Sequence, residues 1–298
     1  MKRLAFALLL LLPAAAMADR SMFSKYTSVD EIDKKIAAIG ENHGSRKKAI
    51  LYSDKATLLY RSGQMPEAAA AFEQALTFNT TAALLRHIYL YMGKAYESHG
   101  RIDRAIEAYE EALIYDSKNW RRHRDLAGLY EQVKLYKKAR DLYASARILS
   151  PREPSLWYVS ARVDRKMGLY ADAEPLIRKA DELGHDEHVV AREKSLIEEG
   201  RGRFKEALND WISGSGDSAD PSDIARVIYL AVQAGDLPLA RENLKRFKAS
   251  GAPKDSVQLY ENLIELGPSG PDSLLSFRGK YPEIEALVAS FLNRERTP

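Results

Sequence analysis

Two histidines and two carboxylates stand together at His185, Asp186, Glu187 and His188. Imidazole and carboxylate groups both ligate divalent metals, and two imidazoles three positions apart can share one ion. The spacing differs from the H-E-x-x-H zinc motif, and no third ligand is apparent in the sequence. The string also falls where a turn between two helices is expected, and polar residues are typical of such turns. The sequence therefore predicts no metal or other cofactor, and a metal site at His185 and His188 stays an open alternative.

Three other strings share features with catalytic or nucleotide sites. GRGR at 200–203 lacks the remaining positions of the G-x-G-x-x-G and P-loop motifs, and no strand precedes it. SGSGD at 213–217 lacks the first glycine of the G-x-S-x-G nucleophile elbow. Glu107, Glu110 and Glu111 lie on one outward helix face, where solvated carboxylates are expected rather than an acid/base pair. The sequence thus predicts no catalytic residues and favours a protein that is not an enzyme.

A fixed spacing governs the middle of the chain. An alanine recurs at one constant interval, with a large apolar or aromatic residue four positions later and a small residue seven positions later. The four sets are Ala105, Tyr109 and Ala112; Ala139, Tyr143 and Ala146; Ala173, Ile177 and Ala180; and Ala207, Trp211 and Gly214. A second helical pattern before each set carries a small residue, at Gly93, Ala127, Ala161 and Ser195. Antiparallel helices approach closely only where the crossing residue is small, so the spacing predicts stacked helix pairs.

This pattern resembles the tetratricopeptide repeat (TPR), in which small residues, aromatics and a turn glycine occupy set places in a unit of about 34 residues. The copies span residues 86–119, 120–153, 154–187 and 188 to about 221, with a first around 56–75 and a sixth around 228–244. The resemblance implies an all-α fold, a right-handed α-solenoid of stacked antiparallel helix pairs. About six repeats are expected over residues 49–250.

Residues 1–18 have the pattern of a secretory signal peptide. Two cations precede an apolar run, Leu4–Leu12, and small residues follow it up to Ala18. We expect cleavage between Ala18 and Asp19 and a periplasmic or secreted location. The run is shorter than the roughly 20 residues that span a bilayer, and no other segment is as apolar. No membrane segment is therefore expected after cleavage.

The region before the repeats, residues 19–48, is expected to form an N-terminal capping helix. Ser28 to Glu31 reads as a capping box that begins a helix ending at Gly40. Ser45 is placed to cap the first helix of the repeats. Terminal repeats need such covers because they lack one neighbour.

The region after the repeats, residues 251–298, is expected to form a C-terminal helical cap. A short helix around Leu274 and another from Pro282 to Asn293 would cover the apolar face of the last repeat. The loop-forming residues 213–217 are expected to end a helix early and to form a hinge.

The amino-acid composition excludes several classes of function. The chain has no cysteine, which excludes disulfides, thiol catalysis and thiolate zinc sites. Removing Lys2 and Arg3 with the signal peptide leaves 43 of the 45 basic residues against 42 acidic ones, a net charge of about +1. A nearly neutral exported chain gives little electrostatic support for a nucleic-acid partner.

The resemblance implies that the first helix of each repeat lines the inner wall of the solenoid. In the family, certain places of this first helix face inward. The residues at the matching places of this sequence are the candidate peptide-binding residues Tyr60, His87, Lys94, Arg121, Arg124, Tyr158, Arg162, Arg165, Arg192 and Tyr229. The centre of this wall is basic, which would attract an acidic or carboxylate-ended segment. The alternative is that these are solvated charges, some of them paired with nearby carboxylates.

The expected function is a non-catalytic protein–protein interaction scaffold in the periplasm that binds a protein or peptide segment in a partly basic groove. An envelope assembly, secretion or surface-polymer machine is the expected setting. One alternative is a structural protein that associates with itself, and another is a metal-dependent hydrolase on the same scaffold. The sequence leaves the oligomeric state and the identity of the partner open.

Overall fold

Fourteen α-helices form the computed structural model, which describes residues 26–40 and 44–269. The helices are α1 (Val29–Ala37), α2 (Ser45–Arg61), α3 (Met65–Leu76), α4 (Ala82–Ser98), α5 (Ile102–Tyr115), α6 (Trp120–Gln132), α7 (Tyr136–Leu149), α8 (Pro154–Lys166), α9 (Tyr170–Glu182), α10 (Glu187–Gly200), α11 (Phe204–Ser215), α12 (Pro221–Ala234), α13 (Leu237–Ala249) and α14 (Lys254–Leu266). A 3-10 turn, Gly267–Ser269, follows α14. The described residues contain no strand.

The chain divides into two compact units, with the division after Leu142 inside α7. In the first unit, α1 packs on α2, α2 on α3, and α4 on α3 and α5, while α5 also contacts α6. In the second unit, α8 packs on α9, α10 on α9 and α11, and α12 on α11 and α13. Each unit is therefore a stack of helix pairs joined by short turns. This confirms the predicted all-α class of stacked antiparallel pairs.

The repeated small residues lie at the crossings between helices. The alanines Ala105, Ala139, Ala173 and Ala207 have no exposed surface. At Gly93, an added Cβ would stand 3.2 Å from the ring of Tyr109, so the missing side chain makes room for that ring. The hydroxyl of Ser195, which is also fully buried, donates a hydrogen bond of 2.6 Å to the carbonyl oxygen of Ala207. The spacing was thus correctly interpreted as a packing pattern.

The glycines in the two strings with site-like features also serve packing and turns. Gly202 has a left-handed backbone, with φ of +76°, in the turn between α10 and α11. Gly200 ends α10, and a Cβ there would overlap the ring of Tyr170. Gly214 is buried inside α11, where a Cβ would lie 2.9 Å from the carbonyl oxygen of His188. Helix α11 ends at Ser215, within the segment 213–217 where its end was expected, and Gly216 follows with a positive φ of 55°. The hinge expected at this segment stays a prediction.

Lys134 has a backbone conformation that normally favours glycine. Its φ is 62°, and it occupies the turn between α6 and α7, one repeat length after Gly100, whose φ is 76°. It is the only non-glycine residue with a positive φ in the described ranges. The local chain geometry is therefore kept even where the sequence departs from the repeat pattern.

The N-terminal capping helix is shorter than expected. The hydroxyl of Ser28 accepts a hydrogen bond of 3.2 Å from the backbone N–H of Glu31, as the capping-box pattern indicated. Helix α1 ends at Ala37 rather than at Gly40. The predicted cap at Ser45 is wrong, because α2 already includes this residue and its hydroxyl accepts instead from the backbone N–H of Asn79 at 3.0 Å.

Helix α14 covers the last helix pair. It packs against α12 and α13. Its apolar side chains Leu259, Tyr260, Leu263 and Ile264 are buried in one cluster with Phe247 of α13. The sequence analysis placed the cap helices further on, around Leu274 and at 282–293. Those two helices and the signal peptide at 1–18 lie outside the described residues.

None of the helices in the described part of the chain combines the length and apolar character needed to cross a membrane.

Candidate functional site

A cleft of about 550 Å³ lies between α2 and α4 in the first unit. Ile50 and Ser53 of α2 and His87, Leu90 and Tyr91 of α4 contribute to its wall. The segment that leads into α6 also lines it, through Asp116, Asn119 and Arg122. Arg46 and Arg86 add two guanidinium groups to the lining. We call this site the arginine cleft.

The wall of the arginine cleft is fixed by packing and by one hydrogen-bond chain. The buried hydroxyl of Thr57 donates to the carbonyl oxygen of Ser53 at 2.8 Å, and it lies 3.2 Å from Nε2 of His87. Because a hydroxyl has one proton, the Thr57 oxygen must accept the second bond, which makes Nε2 of His87 a donor. The His87 ring also lies 4.6 Å from the Tyr91 ring, centroid to centroid. Its orientation in the cleft is therefore set from two sides.

The cations of the cleft differ in their partners. Arg122 is tied to Asp116 at 3.2 Å and lies 3.8 Å from Asp125. Arg46 and Arg86 are exposed, and neither forms an ion pair or hydrogen bond through its side chain in the described part of the chain. A guanidinium group without a protein partner can bind a carboxylate with two parallel hydrogen bonds. The cleft thus offers two cations that have no side-chain partner among the described residues, together with the apolar side chains of Ile50 and Leu90.

Three predicted residues of the first unit converge on one ring, that of Tyr91. Tyr60 meets it edge-on at 5.7 Å, and the ammonium group of Lys94 lies 4.9 Å from its centroid. His87 contacts it as described above. Burial raises the pKa of Tyr60, and the charge of Glu97 adds to the increase. Of these three predicted residues, His87 alone lines the cleft directly.

The two remaining predictions for the first unit, Arg121 and Arg124, lie on the indole ring of Trp120 instead. Their guanidinium carbons stand 4.5 and 5.3 Å from its centroid. Arg124 also pairs with Asp125 at 2.8 Å. Neither arginine lines the arginine cleft.

The predicted arginines of the second unit connect neighbouring repeats. Arg165 of α8 donates to Glu193 of α10 at 2.6 Å, and Glu193 is only 4% exposed. Arg192 of α10 donates to Asp223 of α12 at 2.9 Å. In the same region, Arg226 of α12 pairs with Glu199 of α10. Arg165 and Arg192 are therefore each paired with a carboxylate from the adjacent repeat, which is the alternative that the sequence left open for the predicted groove charges.

Two other predicted residues of the second unit, Tyr158 and Arg162, lie four positions apart on α8. Arg162 stands 5.5 Å from the ring of Tyr158, and Tyr158 packs on His185 with centroids 4.8 Å apart. His185 is thus part of an aromatic contact. Its neighbour Asp186 caps α10, accepting from the backbone N–H of Val189 at 2.9 Å.

Tyr229, the last predicted groove residue, has no exposed surface. It belongs to the apolar cluster that includes Leu259 and Leu263 of α14. The expected position in the groove is corrected to a position in the core, because the sequence analysis did not include the helix that packs on α12.

Within the described residues, no group of three or more His, Asp or Glu side chains is arranged to hold a metal ion. His188 is exposed and lies 3.8 Å from Glu187, its neighbour in sequence. Asp186 is engaged at the helix cap.

The sequence analysis missed Arg46, Arg86 and Tyr91. The places carried over from the resemblance select His87 on α4, whereas the cleft opens near the beginnings of the helices and so also includes Arg86. A usable signal was present, because Arg46, Arg86 and Arg122 all fall close to the starts of α2, α4 and α6. Three successive first helices thus carry a cation near their start.

The comparisons with known proteins agree with this architecture. The tetratricopeptide repeat family matches residues 90–154. The matched segment runs from α4 to the start of α8, within the helix pairs described above. A search of curated proteins finds no match.

Several solved structures share the fold. A tetratricopeptide repeat protein from Parabacteroides merdae has a TM-score of 0.58 at 19% identity, covering 83% of this chain and 99% of its own. MamA from Desulfovibrio magneticus has a TM-score of 0.53 at 12% identity, covering 56% and 95%. YrrB, described as a TPR protein with an unusual peptide-binding site, has a TM-score of 0.50 at 18% identity, covering 59% and 91%. At these identities the likeness concerns the fold.

Proposed function

We propose that this protein is a non-catalytic scaffold that binds an acidic segment of a partner protein in the arginine cleft. The observation that carries the proposal is the pair of exposed guanidinium groups, Arg46 and Arg86, which have no side-chain partner in the described residues. The peptide-binding site named for YrrB, a protein of the same fold, also supports it.

The cleft favours a segment with both a carboxylate and an apolar side chain. Ile50 is 39% exposed and lines the cleft beside Leu90, so it offers apolar surface to a ligand. Arginine and carboxylate match in planar geometry, which gives orientation as well as binding free energy. Asp54 and Asp116 also line the cleft and would repel a segment with carboxylates at every position. A single acidic residue next to an apolar one suits this arrangement.

We also propose a cellular location for the protein. The signal-peptide pattern of residues 1–18 supports export to the periplasm, and an envelope assembly, secretion or surface-polymer machine is the proposed setting. N-terminal sequencing of the protein purified from its native host should begin at Asp19. A sequence beginning at Met1 would contradict the proposed cleavage.

Site-specific photocrosslinking in the native host tests the binding site. A photoreactive residue in place of Ile50 should capture a partner, and the Arg46→Glu/Arg86→Glu variant with the same residue should lose the adduct. The matched control is Arg61→Glu/Arg101→Glu, which reverses two exposed arginines of the same unit outside the cleft. Circular dichroism checks that all variants keep their helix content. Equal capture by the cleft variant and the control would overturn the proposed site.

A further inference from the structure

A second cleft, of about 390 Å³, lies between α3, α4 and α5 in the first unit. Four carboxylates line it against one cation, Arg104. They are Glu73, Glu107, Glu110 and Glu111. Glu107, Glu110 and Glu111 are exposed, as the sequence predicts, and they share this cleft with the rings of Tyr89 and Tyr96. We call this site the acidic cleft.

The two clefts use opposite faces of α4. Successive residues of an α-helix turn by about 100°, so the acidic-cleft residues Tyr89, Met92 and Tyr96 project roughly opposite to the arginine-cleft residues His87 and Leu90. Helix α4 therefore separates a cleft with free cations from a cleft with an excess of carboxylates. The charged groups of the two clefts are thus opposite in sign, and the clefts have no lining residue in common.

Three of the four carboxylates have side-chain partners within the described residues. Glu73 and Glu110 each accept a hydrogen bond from a phenol, that of Tyr96 and that of Tyr130 respectively. Burial, followed by these bonds, raises the pKa of both phenols to about 12, so each remains a donor at neutral pH. Glu107 pairs with the single cation of the cleft, Arg104, at 3.0 Å.

Glu111 is the remaining acceptor of the acidic cleft. Its exposed side chain makes no hydrogen bond or ion pair within the described part of the chain. The ring of Tyr89 lies in the same cleft and is stacked on Tyr115, with centroids 6.1 Å apart and planes 8° from parallel. The face of a tyrosine ring attracts cations, and its area also packs against the methylenes of lysine or arginine. A free carboxylate and an aromatic surface thus occur together.

We propose that the acidic cleft docks a lysine- or arginine-containing segment of a partner protein. The cationic head binds Glu111, and the aliphatic part of the side chain packs on Tyr89 and Met92. The excess of three carboxylates over cations in the lining sets the preference for a basic segment. This site is independent of the arginine cleft, and it makes the first unit a connector between an acidic segment and a basic segment.

Fluorescence anisotropy tests the proposal on the full mature chain. The probes are a labelled peptide of lysine and glycine residues and its glutamine–glycine counterpart. The lysine peptide should bind, and more weakly at high salt, whereas the glutamine peptide should not. Glu107→Gln/Glu111→Gln should weaken binding by roughly fivefold, as expected for the loss of two exposed charge contacts. Equal binding by this variant and the wild type would overturn the proposal.

Three controls separate the site from general charge effects. Glu67→Gln/Asp103→Asn removes two exposed carboxylates of the same unit outside the acidic cleft and should bind the lysine peptide like the wild type. Tyr89→Phe keeps the ring and should bind normally, while Tyr89→Leu should bind more weakly. Arg46→Glu/Arg86→Glu should still bind the lysine peptide, so failure of one cleft is distinguishable from failure of the other. Equal weakening by Glu67→Gln/Asp103→Asn would also contradict a specific site.

Discussion

The two units share the same helix-pair geometry but differ in whether their arginine side chains are paired with carboxylates. In the first unit, Arg46 and Arg86 line a cleft without partners among the described residues. In the second unit, Arg165 and Arg192 are held by Glu193 and Asp223 of the following repeat. The first helices of both units therefore carry arginines, but those of the second unit are paired with carboxylates of the next repeat, whereas Arg46 and Arg86 have no such partner among the described residues.

A second difference concerns the position near the end of each first helix. The first unit has Tyr96 and Tyr130 there, and their hydroxyls donate to carboxylates of the preceding second helices. The second unit has Asp164 and Glu198 at the corresponding places of two successive repeats. Asp164 is 3% exposed, and Glu198 pairs with Arg203. The same place in the repeat is thus filled by a phenol in one unit and by a carboxylate in the other.

The largest expected effect tests the ion pairs of the second unit. Arg165→Met should reduce the free energy of unfolding by about 3 kcal/mol, because it leaves the buried Glu193 without its cation. Urea denaturation followed by circular dichroism measures the change. Arg178→Met is the matched control, since Arg178 pairs with Glu174 at an exposed position and its loss should cost less than about 1 kcal/mol. Similar costs for both variants would contradict a structural role for Arg165.

The next largest expected effect is on the free energy of unfolding, and it tests the buried alanines at helix crossings that the two units share. Ala105→Leu in the first unit and Ala207→Leu in the second should each cost roughly 1–3 kcal/mol, because both alanines are fully buried at helix crossings. The control is Ala70→Leu, at an exposed position of α3, where the change should be within about 0.5 kcal/mol. Urea midpoints compare the three variants. A negligible cost in one unit would show that its helices are packed less closely there.

The smallest effect concerns the phenols of the first unit. Burial and the hydrogen bond to Glu73 raise the pKa of Tyr96 to about 12, above its ordinary value of about 10. The protonated phenol therefore contributes stability that is complete below about pH 10 and is lost as the pH rises through about 12. Tyr96→Phe should show a shallower fall in unfolding free energy over this interval than the wild type. Parallel pH profiles of urea midpoints for the two proteins would contradict the assignment.

The fold was predictable because the constraint is repeated and local. Each helix crossing requires a small residue, so Ala105, Ala139, Ala173 and Ala207 specify the architecture independently of one another. Helix α14 was missed because the repeat pattern had ended and only an apolar periodicity remained. Lys134 shows the opposite case, in which the turn persists although its glycine is absent.

The sites were less predictable because they depend on contacts between repeats. The places carried over from the resemblance identified His87, but they could not show that Arg165 pairs with Glu193 of the next repeat. The cavity that takes in Arg46 and Arg86 arises from the relative position of two helices, and no single helix pattern encodes it. The proposed partners of the two clefts remain predictions that the experiments above address.

Helix α4 forms a wall of both clefts, and this has a thermodynamic consequence. If a segment bound at one face changes the position of α4, the affinity at the other face changes too. By linkage, the factor by which an acidic segment alters the binding of a basic segment must equal the factor of the reverse effect. Any such coupling would be carried by α4, a single helix of 17 residues.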